Sequence, residues 1–172
     1  HGLKVTSDVL AMTGVSPLLG RLFRADDDVA TGDQPIIVSW GYWQRRFAGR
    51  PDVLGTSLIV SGSSYTVVGV MPRGFDFPMF WAGNAEAWTP LALGDRASSR
   101  QSQSLRLFAR LRPGASVEAA QAQMSAVAAN LERGFPGTNP AVTVTPLRTM
   151  VVGDVRTALL VLLGAVGFVL LI

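Results

Sequence analysis

"GTSLIVSGSSYTVVGVMP" (55–72) decides the fold. Two β-rich runs, 57–60 and 65–70, flank a Ser-Gly-Ser-Ser turn, and Pro72 closes the second. Branched and aromatic side chains suit a pleated, half-buried surface, and a Gly-bearing turn between two such runs predicts a β-hairpin. The same glycine invites comparison with a phosphate-binding loop. No Gly-Lys-Ser/Thr follows it and no helix opens there, so the hairpin is the reading kept.

Upstream, "PIIVSW" (35–40) reads as a short buried strand, and "SWGYWQRRFAG" as the helix that follows it. Ser39 is the expected cap, Trp40, Trp43 and Phe47 recur on the core side, Arg45 and Arg46 lie opposite, and Gly49 stops the helix. Nearer the start, "SDVLAMTG" predicts a helix with Ser7 as cap and Asp8 in the first turn, ending near Gly14. "RADDDVATGDQP" then reads as a polar loop or helix start. Asp26, Asp27 and Asp28 carry enough charge for a cation, but ligands do not recur at the odd-numbered spacing of a calcium loop.

Downstream of the hairpin, "RGFDFPMFWAGNAEAWTPLAL" (73–93) predicts a strand near Ala87–Leu91. Phe75, Phe77, Phe80 and Trp81 either plug the bottom of a sheet, the reading preferred, or form an exposed apolar patch. Residues 95–104 read as a polar loop. In "LRLFARLRP", Leu105, Leu107, Ala109 and Leu111 alternate with Arg106, Phe108, Arg110 and Arg112. Period two predicts a half-buried strand with a largely arginine outer face, available to solvent or to an anionic partner. "GASVEAAQAQMSAVAANLERGFPG" is a helix capped by Ser116, with Glu118 at its positive end and Val117, Ala120, Met124, Val127 and Leu131 as its stripe. "AVTVTPL" (141–147) predicts a last strand.

The run Ala158–Ile172 carries no charge and no polar face. Fifteen helical residues cover about 22 Å against a hydrocarbon core of about 30 Å. The run is still apolar at Ile172, so it is expected to be the start of a transmembrane helix in a fragment of a longer protein; a buried core helix is the alternative. Arg148 and Arg156 flank Asp154 ahead of it, so the charge bias gives only a weak orientation.

Of 172 residues, 15 are basic and 12 acidic, and the basic residues are fourteen arginines and Lys4. Their scatter gives no stripe of the kind nucleic acid needs. There is no cysteine, which excludes disulfides and thiolate metal sites. The single histidine is His1, no carboxylate pair is placed by sequence as acid and base, and no G-x-S-x-G elbow occurs. No catalytic, cofactor-binding or metal residue is therefore assigned, and no cofactor is expected. Element order predicts an α+β chain whose middle, about 52–93, is a β-rich insertion between two α/β halves.

"LAMTGVSPLLGRLFRADDD", "IIVSWGYWQRRFAG", "VLGTSLIVSGSSYTVVGVMPRGFDFP", "LRLFARLRPGASVEAAQAQM" and "VVGDVRTALLVLLGAVGFVLLI" follow in an order and spacing that resemble the MacB-like periplasmic core domain. The type resembled is the large duplicated permease of FtsX-like ABC transporters common in acidobacteria. The resemblance implies a porter-like α/β domain made from 1–51 and 105–147, with 52–104 as a β-rich insertion of the kind called Sabre. Residues 148–157 become a connector and 158–172 the beginning of the second transmembrane helix.

It further implies a cell inner membrane location with residues 1–157 on the periplasmic side. The implied activity is non-enzymatic: a separate cytoplasmic ATPase moves the helices, and the external domain transmits that motion for efflux or export. Implied partners are that ATPase, a second permease copy or internal duplicate, a periplasmic adaptor and membrane lipid, with no nucleic acid. The reading set against this one is a membrane-tethered binding or sensor domain without an ATPase; a third is a soluble enzyme whose last helix is buried.

Overall fold

The computed structural model describes residues 1–28, 34–77, 85–93, 105–137 and 141–150. They fall into two compact units, His1–Ala109 and Arg110–Ile172.

The first unit is built on one mixed sheet. Its strands are β1 (Gly2–Val5), β2 (Leu19–Gly20), β3 (Gln34–Val38), β4 (Ser57–Val60), β5 (Ser63–Val70) and β6 (Ala87–Pro90). The order is β1-β6-β3-β5-β2, with β4 paired to β5 as well. β3 runs parallel to β5 and antiparallel to β6, and β1 runs parallel to β6. One edge of β5 is shared: β4 takes 63–66 and β2 takes 69–70, both antiparallel.

β3 is paired along both edges and covered on both faces by a hydrophobic core, so its branched run Ile36-Ile37-Val38 is fully inaccessible. Period two divides that run between two cores. Ile36 and Val38 face one with Trp43, Val53, Leu58, Tyr65, Val67, Val70 and Ala87. Ile37 faces the other with Val5, Leu10, Phe23, Met71, Phe77 and Trp88.

On β5 the alternation would fail without a bulge. Ile36 pairs with Val67 but Ile37 pairs with Gly69, so Val68 is skipped. The extra residue keeps Tyr65, Val67 and Val70 on one face although 67 and 70 are three apart.

The hairpin is the one the sequence predicts, with a tighter turn. Ser61 (φ 51°) and Gly62 (φ 83°) make a two-residue turn with both φ positive, and Ser63 and Ser64 already belong to β5.

α1 (Ser7–Met12) covers the second core through Leu10, and α2 (Trp40–Phe47) covers the first through Trp43, with Trp40, Tyr42 and Phe47 packed beside it. Ser39 caps α2 as expected, its Oγ accepting the Tyr42 N–H at 3.1 Å. Ala48 (φ 51°) and Gly49 (φ 71°) end it in the left-handed region.

The cap expected at Ser7 is corrected: Thr6 occupies the N-cap without a capping hydrogen bond. Its hydroxyl donates to Asp8 at 2.7 Å, and the Ser7 N–H donates instead to Asp28 Oδ2 at 3.2 Å. A carboxylate 21 residues away in sequence serves the exposed donors of this helix start.

The expected strand at 105–112 does not form. The leucines meant to face inward are outward, Leu105 at 50% and Leu107 at 83% exposure, and Phe108 packs against the second core instead. Alternation says which residues would share a face once an edge pairs. Here the largest apolar side chain, Phe108, is the one that turns inward.

In the second unit, α3 (Val117–Gly134) begins as expected, Ser116 Oγ accepting the Ala119 N–H at 3.1 Å. Val117, Ala120 and Met124 of its stripe are half-buried, whereas Val127 and Leu131 are exposed. The strand expected at 141–147 is also absent. Gln121 takes the place of a neighbouring strand: its Nε2 donates to the Val142 carbonyl at 2.7 Å and its Oε1 accepts the Val144 N–H at 2.7 Å. One side-chain amide thus serves the two backbone groups a ladder would have paired. Residues 147–150 turn into a helix after Pro146.

No helix among the described residues is long and apolar enough to cross a membrane. The apolar run 158–172 and the connector beyond Met150 lie outside the described residues, as do the polar loop 95–104, Phe80 and Trp81.

Candidate functional site

Asp26, Asp27 and Asp28 form a single 3-10 turn (Ala25–Asp28), and the fold spends two of the three carboxylates on itself. Asp27 receives both arms of Arg21, at 2.6 and 3.1 Å, and the Arg24 N–H at 2.7 Å. Asp28 holds the start of α1. The described residues contain no group of three or more His, Asp or Glu side chains able to hold a metal ion.

The fork from Arg21, aided by the Arg24 N–H and opposed by partial burial, holds the Asp27 carboxyl below the ordinary carboxylate range. The same bond raises Arg21. A depressed acid stabilises the fold above its unfolded value, near 4, and that contribution disappears as pH falls through the folded value. Arg21→Leu is therefore expected to remove about 1 kcal/mol at pH 7 and to flatten the loss of stability below pH 4. Urea titrations across pH 2–7 measure both; an unchanged acid limb would show that the pair does not contribute.

The aromatic plug forms where the structure describes it. Phe77 is buried, and Phe75 meets Trp88 edge-on with centroids 5.5 Å apart. The proposed arginine face is rearranged, because Phe108, assigned to it by alternation, is the residue that turns inward, while Arg106, Arg110 and Arg112 stay exposed.

Two surface grooves flank α2. One, of about 350 Å3, lies at its start between Ser39, Trp40, Phe75, Asp76 and Glu86, and the Arg73 guanidinium sits 5.1 Å from the Trp40 ring nearby. The other, of about 340 Å3, lies at its end and is lined by Arg45, Arg46, Phe47, Arg50, Asp52 and Val53, with the Arg45 guanidinium turned back to Glu86 and Arg50 paired with Asp52. Sequence reasoning missed this second grouping. Arg45-Arg46 was visible as a pair, but Arg50 joins it only through the left-handed return at Ala48-Gly49.

The described surface therefore offers grooves and charged forks rather than a set of acid, base and nucleophile. An α+β domain on a mixed sheet, with a helix on each face, defines the class. The chain belongs to the MacB-like periplasmic core domain family, of ABC transporter permeases, whose model matches residues 2–127.

Two solved structures share the fold. The periplasmic region of MacB from Actinobacillus actinomycetemcomitans superposes with a TM-score of 0.53 at 14% identity, over 80% of this chain and 58% of that one. The extracellular domain of the noncanonic ABC-type transporter YknZ from Gram-positive bacteria gives 0.52 at 18% identity, over 84% and 69%. The chain thus spans little more than half of the MacB region it resembles. No curated protein matches it by sequence.

Proposed function

We propose that this domain is a non-catalytic, extracytoplasmic part of an ABC transporter permease and passes motion generated by a cytoplasmic ATPase to periplasmic cargo or partner proteins. Membership of the MacB-like family is the observation that carries this reading. The same membership supports the location proposed here, an inner membrane protein with residues 1–157 outside the cytoplasm and 158–172 entering the bilayer. Residues 1–51 and 105–147 act as a porter-like body with 52–104 as its insertion, although the hairpin of that insertion shares one sheet with β3. A second permease copy or internal duplicate, an adaptor and lipid complete the set of partners. The physical requirement is a stiff body on a short connector, so that a shift of a helix becomes a shift of the domain. The clasp of Gln121 on 142–144, just ahead of the connector, supports such stiffness.

The test uses the full-length permease with its ATPase in nanodiscs. The chain has no cysteine, so Ala126→Cys on exposed α3 gives a unique label site within it. Spin-label distances between two copies should change on vanadate trapping. Inserting a nine-residue Gly-Ser segment after Met150 should abolish that change while ATP hydrolysis continues. Loss of hydrolysis together with motion would argue against a simple connector. A reading frame with a single span and no ATPase partner would favour a tethered sensor instead.

A further inference from the structure

Strand β4 (Ser57–Val60) leaves one edge open. It pairs with β5 along the other, and no described residue pairs with its outer side. The two-residue turn at Ser61-Gly62 fixes which backbone groups face outward. Val60 and Ser63 close that turn as a hydrogen-bonded pair, so Leu58 also bonds inward by alternation. The N–H and C=O groups of Ser57 and Ile59 therefore point away from β5. Side chains alternate between the faces as well. Leu58 is buried and Val60 packs against the first core, whereas Ile59 stands on the opposite face at 77% exposure.

Sheets guard their open edges with charge, proline or shortness. β1 carries Lys4, and β2 is only two residues long. β4 has none of these devices. It is four residues long, and residues 55–71 hold no charged side chain and no proline. An unguarded edge beside an exposed isoleucine is suited to receive another strand rather than to repel one.

We propose that β4 is an interface with a second copy of this chain, the two strands pairing antiparallel about a twofold axis at Leu58. That register sets Ser57 opposite Ile59 of the partner subunit, and these are the two positions whose backbone groups face out. An identical neutral edge brings no like-charge repulsion, and the paired strands place both isoleucines on one face, within diagonal reach. Area decides the kind of partner. A pair of four-residue strands falls well short of the roughly 1,000 Å2 that holds two soluble proteins together. Two copies anchored in one bilayer start at high effective concentration and need far less. The proposal rests on the reading that two permease copies stand side by side in the membrane.

Two differently tagged full-length copies are co-expressed with their ATPase in a cysteine-free background, one bearing Ser57→Cys and the other Ile59→Cys. They are oxidised in nanodiscs, at rest and after vanadate trapping. Both positions are exposed, so neither substitution disturbs the core. Facing residues of a hydrogen-bonded antiparallel pair have Cα atoms about 5.5 Å apart, within disulfide range, and diagonal residues lie farther apart. The mixed pair should cross-link about tenfold faster than two copies of either variant, in at least one of the two states. Ser64→Cys, on β5 away from the open edge, should stay unlinked. Co-purification of the tags reports separately whether two copies assemble. Tags that co-purify without the mixed link would overturn the β4 pairing alone, and tags that separate would overturn the two-copy reading with it. Equal rates in every combination would mean random collision, and a link from Ile59→Cys to a different polypeptide would give the edge to another partner; either overturns the proposal.

Discussion

Gly20→Ala is expected to cost about 3 kcal/mol and Gly69→Ala about 2 kcal/mol, with a fall in thermal midpoint on the order of 10 °C for the first. The two glycines face each other across the junction of β2 and β5. A Cβ on Gly20 would lie 2.1 Å from the Val68 carbonyl oxygen, and one on Gly69 would lie 2.4 Å from that of Arg21. Both obstacles are backbone, and that backbone is committed: the Arg21 N–H donates to the Val68 carbonyl at 2.9 Å. Relief would therefore require breaking the contact that lets β2 share the edge of β5.

Gly20 adds a second cost, because its φ of +73° belongs to the left-handed region, worth roughly 1–2 kcal/mol for alanine. Gly55 supplies the control. Its φ is +79° but nothing lies within 4 Å of its Cβ position, so Gly55→Ala should carry the conformational cost alone, about 1 kcal/mol. Denaturant midpoints of the three variants separate strain from collision. If Gly20→Ala is no worse than Gly55→Ala, the close approach at Val68 is not a feature of the folded protein.

The junction also shows what can be read in advance. β3, β5, α2 and α3 are legible because local chemistry and tertiary demand agree there: branched runs at 36–38 and 65–70, and hydroxyl caps at Ser39 and Ser116. The pairing order is not legible, since a single sequence states which faces are apolar and not which edges meet. Nor is the skipped Val68, which looks like one more branched residue until Gly20 and Arg21 approach it. Alternation at 105–112 misleads for a related reason: it assigns faces by period alone, whereas Phe108 packs against the second core and the leucines stay exposed.

For the grooves, composition shows scattered arginines, and only the reversal at Ala48 brings Arg50 to the groove that Arg46 also lines. Family membership was readable because it rests on order and spacing across the chain rather than on any one site.

Trp88 should give the largest single loss from a core truncation. It is 1% exposed on β6, pairs with Leu3 on one side and Ile37 on the other, and receives Phe75 edge-on. Trp88→Ala is expected to cost about 4 kcal/mol, the sum of lost transfer energy and a cavity that the surrounding sheet cannot collapse.

Trp88→Phe is the more informative change. The indole Nε1 is buried and finds no acceptor among the described residues. A buried donor left unpaired costs about 1–3 kcal/mol, and phenylalanine removes it while retaining most of the ring. The smaller ring loses packing of comparable size, so the two terms nearly cancel and the net cost should stay within about 1 kcal/mol. Equilibrium unfolding of both variants decides the matter. A phenylalanine variant as unstable as the alanine one would mean that the indole N–H is satisfied in the folded protein and that polar bonding, as well as packing, fixes this end of β6.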